Sequence, residues 1–168
     1  PPTQWYEAGL IWINNLSYIR ISGLSVINSL STGIDVSGSS YISIEKNYID
    51  NTYYSGINSY LCNNMVFDAN EIVHGSWMFD NECISLGGTD NFEIKNNRIH
   101  DTGRCGIDAK VGSSNGIICK NEVYRLATGI YTDAWNSHEY NIDIFDNLCY
   151  NNEHGIVVGT ENNGLIEG

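Results

Sequence analysis

One short pattern recurs along the chain and constrains everything else. Gly33-Ile34-Asp35-Val36 is followed by Gly56-Ile57-Asn58-Ser59, Cys83-Ile84-Ser85-Leu86, Gly106-Ile107-Asp108-Ala109, Gly129-Ile130-Tyr131-Thr132 and Gly155-Ile156-Val157-Val158. The starts are separated by 23, 27, 23, 23 and 26 residues. Self-similarity at a period of 20 to 50 residues marks a stacked repeat, in which each unit buries its apolar face on its neighbours. The chain reads as a solenoid.

Within each repeat the hydrophobic period is two. After the Gly-Ile run, apolar residues alternate at Ile42/Ile44, Met65/Phe67, Phe92/Ile94, Gly116/Ile118 and Ile142/Ile144, the pattern of a strand with one buried face. A shorter third segment carries a single inward residue: Ile49, Ile72, Ile99, Val123 or Cys149. Between the second and third segments stands an Asn each time, at 47, 70, 97, 121 and 147. Asn tolerates the left-handed backbone that a sharp bend needs, and stacked coils would pile these amides into a ladder. The expectation is an all-β parallel helix of about seven coils with an Asn ladder, one domain over residues 1–168. GLIEG at 164–168 stops in the second strand of a coil with no polar cap in view, which reads as a segment of a longer solenoid.

Composition narrows the partners. With 8 Lys plus Arg against 20 Asp plus Glu, a net charge of -12 leaves no basic stripe for nucleic acid. No apolar run approaches the roughly 18 to 20 residues of a membrane span. Seventeen Gly and two Pro suit many short strands joined by tight turns. The five Cys (62, 83, 105, 119 and 149) lack a CxxC spacing for zinc. Cys83 and Cys105 fall near one height of adjacent repeats and could bridge. Asn15-Leu16-Ser17 fits a glycosylation acceptor.

Three strands and about 23 residues per turn resemble the right-handed parallel β-helix of the pectate-lyase superfamily. That resemblance puts catalytic groups on the outward positions of the first strand and its bordering loops. Lys110 and Asp133 fall in one lateral row there, and Asp108 and Tyr131 in the next; Asn58 and Tyr60 lie on the same face. Arg104, His100 and Asp101 enter from the preceding bend. Two stretches depart from the repeat, residues 75–82 before coil four and residues 134–140 in coil six, bringing Trp77, Met78, Phe79, Trp135 and His138. Such excursions from a rigid scaffold are typical of binding loops, or fold back over the flank.

The segment GIDAK at 106–110 looks like the first strand of polysaccharide lyases of the pectate-lyase type. The resemblance implies Lys110 as the base that removes the proton α to a uronate carboxyl group, and Asp108 and Asp133 as catalytic or Ca²⁺-binding carboxylates. It implies Arg104, Tyr131, Trp135, His138, Asn58 and Tyr60 as contacts to a polysaccharide or oligosaccharide, and an extracellular or cell-surface setting. Three other readings of the same residues stay open. Asp108, Lys110 and Asp133 could be a solvated ion-pair ladder. Asp108 with Asp133 could serve glycoside hydrolysis, which needs two carboxyl groups roughly 5 to 10 Å apart. The coils could also associate end to end as a structural filament or surface scaffold, since contacts that do not close make fibres.

Overall fold

The computed structural model describes residues 8–77, 81–102 and 104–168. Coil one holds β1 (Ile11–Asn14), β2 (Ser17–Ser22) and β3 (Ser25–Ser29), and coil two β4 (Ile34–Ser37), β5 (Ser40–Glu45) and β6 (Tyr48–Thr52). Coil three holds β7 (Ile57–Tyr60), β8 (Asn63–Asp68) and β9 (Glu71–Val73), and coil four β10 (Glu82–Gly87), β11 (Asp90–Lys95) and β12 (Arg98–His100). Coil five holds β13 (Cys105–Lys110), β14 (Ser114–Cys119) and β15 (Glu122–Tyr124); coil six holds β16 (Thr128–Trp135), β17 (His138–Phe145) and β18 (Leu148–Tyr150). β19 (His154–Glu161) and β20 (Leu165–Glu167) follow. Among the described residues there are thus about six full turns rather than seven, the last two strands making part of another. No helix of the described residues is long and apolar enough to cross a membrane.

Strands of like position pair in parallel. The first sheet runs β1-β4-β7-β10-β13-β16-β19, the second β2-β5-β8-β11-β14-β17-β20, and the third, six-stranded, β18-β15-β12-β9-β6-β3. The register stacks Ile11, Ile34, Ile57, Ile84, Ile107, Ile130 and Ile156 in one column. The members of that column from Ile34 to Ile130 are fully buried. Isoleucine suits the place because its branched side chain packs well on a pleated surface flanked by strands above and below. The second sheet adds the Ile42–Met65–Phe92 and Ile44–Phe67–Ile94–Ile118 columns, and the third adds Ile49, Ile72, Ile99 and Val123. Gly116 shows how tightly these columns interlock. A Cβ there would overlap the Phe92 ring of the coil before it, so the Phe fills the space the Gly leaves.

The Asn ladder is continuous. Asn70 Oδ1 accepts from the backbone N–H (3.1 Å) and Nδ2 (3.0 Å) of Asn47. Asn97 Oδ1 does the same for Asn70, Asn121 for Asn97 and Asn147 for Asn121, all at 2.9 to 3.0 Å. Each Nδ2 also donates to a strand carbonyl of the preceding coil, as Asn97 does to Phe67 at 2.9 Å. The bend geometry differs from expectation in one respect. The left-handed residue at this corner is the one before the Asn: Lys46, Ala69, Asn96, Lys120 or Asp146. The ladder Asn is therefore selected for its amide, which joins coils, and its neighbour takes the backbone strain. The other corners turn the same way; in coil three Leu61, Asn64, Ala69 and His74 all have φ between 48° and 54°.

All five cysteines are free thiols, and the Cys83–Cys105 bridge that their heights would have allowed does not form. The register explains it, because Glu82 rather than Cys83 stands opposite Cys105. Burial pushes the Cys83 thiol up to about 12 and the Cys105 thiol up to about 11, the state of inert core cysteines.

Replacing Asn97 by Ala removes a fully buried rung and strands donors in two coils. The expected loss is about 1 to 3 kcal/mol of unfolding free energy, read as a lower urea midpoint with an unchanged slope.

Candidate functional site

Most of the candidate residues lie on the outward face of the first sheet. Coil-to-coil register places Lys110 beside Asp133 and Asp108 beside Tyr131. These four line a groove of about 300 Å³ together with Arg104, Trp135, Glu82 and Glu161. Six of the sequence-derived residues (Lys110, Asp108, Asp133, Arg104, Tyr131 and Trp135) thus converge.

The remaining three do not. Asn58 stands two coils away, where its Nδ2 donates to Asp35 Oδ1 at 2.7 Å. Tyr60 is half-exposed and lies over Gly87, whose missing side chain makes room for the ring. His138 opens β17 in the second sheet, with Nε2 3.2 Å from Glu167 Oε2. His100 and Asp101 are also elsewhere. His100 is buried in the third sheet, stacked on Tyr124 at 4.7 Å, and Asp101 pairs with it at 2.7 Å and with Arg125. The reason His138 misses the groove is that residues 134–140 do not form a loop. They lengthen β16 and β17, leaving only Asn136 and Ser137 between the strands. Trp135 therefore reaches the groove from a strand end, paired with Glu161 of β19. In the other excursion, Trp77 packs edge-on against Tyr53 at 5.6 Å, covering the flank. Met78 and Phe79 lie outside the described residues.

Two carboxylates were not anticipated. Glu82 is the last residue of the long bend before coil four and becomes the first residue of β10. It accepts a 2.6 Å hydrogen bond from Lys110 Nζ, and Asp108 Oδ2 lies 3.7 Å from the same nitrogen. Glu161 accepts from the Tyr131 hydroxyl at 3.3 Å. A sequence signal for Glu82 existed. The four-residue surplus of that repeat ends in an acid one strand from the GIDAK segment.

The electrostatics of the floor follow from burial. Asp108 is 2% exposed, and one carboxyl oxygen, Oδ1, is buried with no hydrogen-bond partner among the described residues. Burial, reinforced by the Glu82 charge, pushes its pKa up to about 8 against the opposing pull of Lys110. Asp133, with its own buried and unpartnered Oδ1, is also shifted up, by burial and by Glu161. For Lys110 burial works to lower the pKa, but Glu82 and Asp108 outweigh it and hold the ammonium above the ordinary lysine value. Tyr131 is raised to about 12 by burial and by Asp133. The groove thus has a charged Lys110–Glu82 pair at its base, a neutral acid at Asp108, and an aromatic rim.

The expected calcium site at Asp108 and Asp133 fits these residues poorly. Calcium takes six to eight oxygen ligands, and here an ammonium sits beside Asp108 where a cation would have to enter. Among the described residues no group of three or more His, Cys, Asp and Glu converges to hold a metal.

A parallel three-sheet solenoid of this kind defines a class of proteins. Residues 9–168 match the family described as right handed beta helix region, and the chain belongs to that family. No curated protein matches the chain.

The Asp108 shift has a consequence for stability. An unfolded Asp releases its proton near pH 3.8, while the folded Asp108 keeps it until about pH 8. Its contribution is fully present below pH 3.8 and is lost as pH rises toward 8, at up to about 1.4 kcal/mol per pH unit. Asp108→Asn removes the titration. The melting temperature of the variant should therefore rise relative to the parent between pH 5 and 8, and thermal melts across that range check it.

Proposed function

We propose that the first-sheet groove binds a neutral glycan and hydrolyses it, with Asp108 as the proton donor and Asp133 as the base that activates water. The observation that carries the reading is the placement of two carboxyl groups of unlike surroundings in one groove with an aromatic rim. They stand on adjacent strands and two residues apart along them. A lateral step of about 4.8 Å and two residues of about 3.3 Å each separate their backbones by roughly 8 Å. Carboxyl groups rising side by side from backbones at that spacing suit the arrangement in which a water molecule fits between acid and base, so inversion at the anomeric carbon is expected.

The roles follow from the surroundings. Asp108, beside Glu82 and out of water, retains a proton to give to the glycosidic oxygen as the bond to the anomeric carbon breaks. Asp133 is less enclosed in the groove wall and takes the proton of the incoming water. Lys110, fixed by Glu82, stays charged near Asp108 and positions it. Trp135, 47% exposed, and Tyr131 offer flat apolar faces against which a sugar ring can lie. A polymeric substrate would be met outside the cell or at its surface.

Two features weigh against the β-elimination suggested by the pectate-lyase resemblance. That chemistry needs a base without its proton, whereas Glu82 holds Lys110 protonated. Its substrates are polyanions, which would meet Glu82, Asp108, Asp133 and Glu161 around the groove, with Lys110 and Arg104 the opposing cations among its described lining residues. A scaffold role without catalysis keeps the same face as an ion-pair surface.

The test is incubation with neutral polysaccharides (xylan, mannan, β-glucan) and with polyuronates. Reducing ends and unsaturated products are measured in parallel. New reducing ends from a neutral polymer without unsaturated product are expected. Asp108→Asn and Asp133→Asn should each lower the rate by about 10² to 10⁴, and Lys110→Arg should retain most of it. Unsaturated uronates that vanish in Lys110→Arg would establish elimination instead. No product from any polymer would leave the scaffold role.

A further inference from the structure

A second groove lies on the outward face of the second sheet and takes no part in the site above. Its volume is about 480 Å³, larger than that of the first-sheet groove, and it runs along the helix axis over coils two to five. One wall is a column of left-handed residues, Tyr41, Asn64, Asn91 and Asn115, with φ of 57°, 54°, 52° and 53°. Each immediately precedes an inward residue (Ile42, Met65, Phe92 and Gly116), and the left-handed backbone turns its side chain out beside the sheet. The floor is the outward row of the strands, Ser43, Val66, Glu93 and Ile117, which the register stacks in line.

We propose that this axial groove is a binding site for a neutral oligosaccharide chain laid parallel to the helix axis. Several properties of the groove single out that ligand. The wall amides are fixed in advance: Asn91 Nδ2 donates to Asp90 Oδ2 at 2.9 Å, Asn115 Nδ2 to Asp90 Oδ1 at 2.7 Å, and Asn64 Nδ2 to Asn63 Oδ1. Held so, the amide oxygens of Asn64 and Asn91 can accept from hydroxyl groups, with less rotamer freedom to lose on binding. Asn115 continues the line, accepting from Asn141 Nδ2 at 3.0 Å.

The apolar part is equally ordered. Tyr18 stacks on Tyr41 at 4.8 Å and 8°, which orders the Tyr41 ring where it borders the groove. Val66 and Ile117 supply aliphatic floor against which the C–H face of a sugar can rest. Charge complementarity excludes the obvious rivals. The one ionised floor residue, Glu93, is paired with Lys95 at 2.5 Å, and the Asp90 carboxylate beside the wall is turned to the amides of Asn91 and Asn115, so the trough offers no positive site for a polyanion. In a chain of net charge -12 this trough lines itself with amides, a hydroxyl and aliphatic groups, a hydroxyl-matching surface. The four wall residues repeat at the coil spacing of about 4.8 Å, a run of about 14 Å that spans a few consecutive sugar rings.

The site is independent of the hydrolytic reading, since none of its residues lines the first-sheet groove. Its occupation would hold a polymer against the same rod and raise the effective concentration of that polymer at the first sheet. The experiment is NMR titration of the full chain with cellopentaose, maltopentaose, xylopentaose and mannopentaose, following the side-chain amide signals of Asn64, Asn91 and Asn115. At least one of the four is expected to shift all three signals. Tyr41→Ala and Ile117→Glu, both at exposed positions, should each weaken that binding about tenfold or more. Asp108→Asn should leave it unchanged even where it abolishes cleavage, which separates failure of one site from failure of the other. If no pentasaccharide moves these signals in the parent protein, the proposal is overturned. It is equally overturned if both variants bind as the parent does, or if an oligogalacturonate shifts the same signals at lower concentration than the neutral sugars.

Discussion

The stacking of one coil on the next is the contact on which the whole molecule depends. No coil encloses a core by itself; each contributes one rung to every column, and the columns are buried only because rungs lie above and below. Parallel backbone pairing sets the spacing, and the Asn ladder locks the phase. A ladder Oδ1 receives two donors from the coil before it, while its own Nδ2 reaches back to a strand carbonyl. Slipping one coil by a residue would break these bonds and also turn an Ile column out to solvent. Register is thus specified twice, by polar groups at a corner and by apolar groups on the strands.

Fixed register is also what makes a site. Lateral neighbours in a parallel sheet are residues about 23 positions apart, and their side chains are held on a rigid face rather than on loops. The groove residues come from coils four to six and the strand that follows, and the departures from the 23-residue period supply the less regular members. The surplus before coil four ends at Glu82, which reaches Lys110 one coil later. The surplus in coil six lengthens β16 and β17, so that Trp135 pairs with Glu161 of β19 beyond the ordinary end of the strand. The regular repeat gives the floor its Asp108, Lys110 and Asp133, and the irregular residues wall it in and desolvate it.

Much of this was legible in the sequence because the repeat carries its own phase. The Ile column, the alternating second strand and the five ladder Asn each recur at fixed offsets, so sheets, inward residues and lateral rows such as Lys110 beside Asp133 could be read directly. The coil count came out one high because the final strands make only part of a turn. What failed was whatever depended on how the irregular segments are accommodated. AWNSHEY reads as a polar loop, yet two strands absorb it, which leaves His138 on the wrong sheet. The Cys83–Cys105 bridge assumed equal heights, and the bend before coil four moves Glu82 into the place opposite Cys105. Periodicity cannot report that choice, because an insertion can lengthen a strand or bulge into a loop with the same residue count. The axial groove was missed for another reason. Its wall residues Tyr41, Asn64, Asn91 and Asn115 look like turn residues, and only the backbone shows that their left-handed φ values align them.

In the roles proposed for them, the two grooves divide the chemistry of the rod by their dielectric surroundings. On the first sheet, ionisable groups are packed closely enough that burial and mutual repulsion decide their protonation. Burial, with the Glu82 charge beside it, pushes Asp108 up to about 8 against the opposing pull of Lys110. On the second sheet the outward row is built from a hydroxyl, two aliphatic groups and one compensated carboxylate, with amides alongside. Proton transfer belongs to the first arrangement, since it needs groups poised near their titration points. Holding an uncharged polymer belongs to the second, since pre-set amides and a fixed ring bind hydroxyls and C–H faces without introducing a charge. Both arise from one repeat because the strand that builds each face differs only in which side chains occupy its outward positions, and the buried columns beneath are indifferent to that choice.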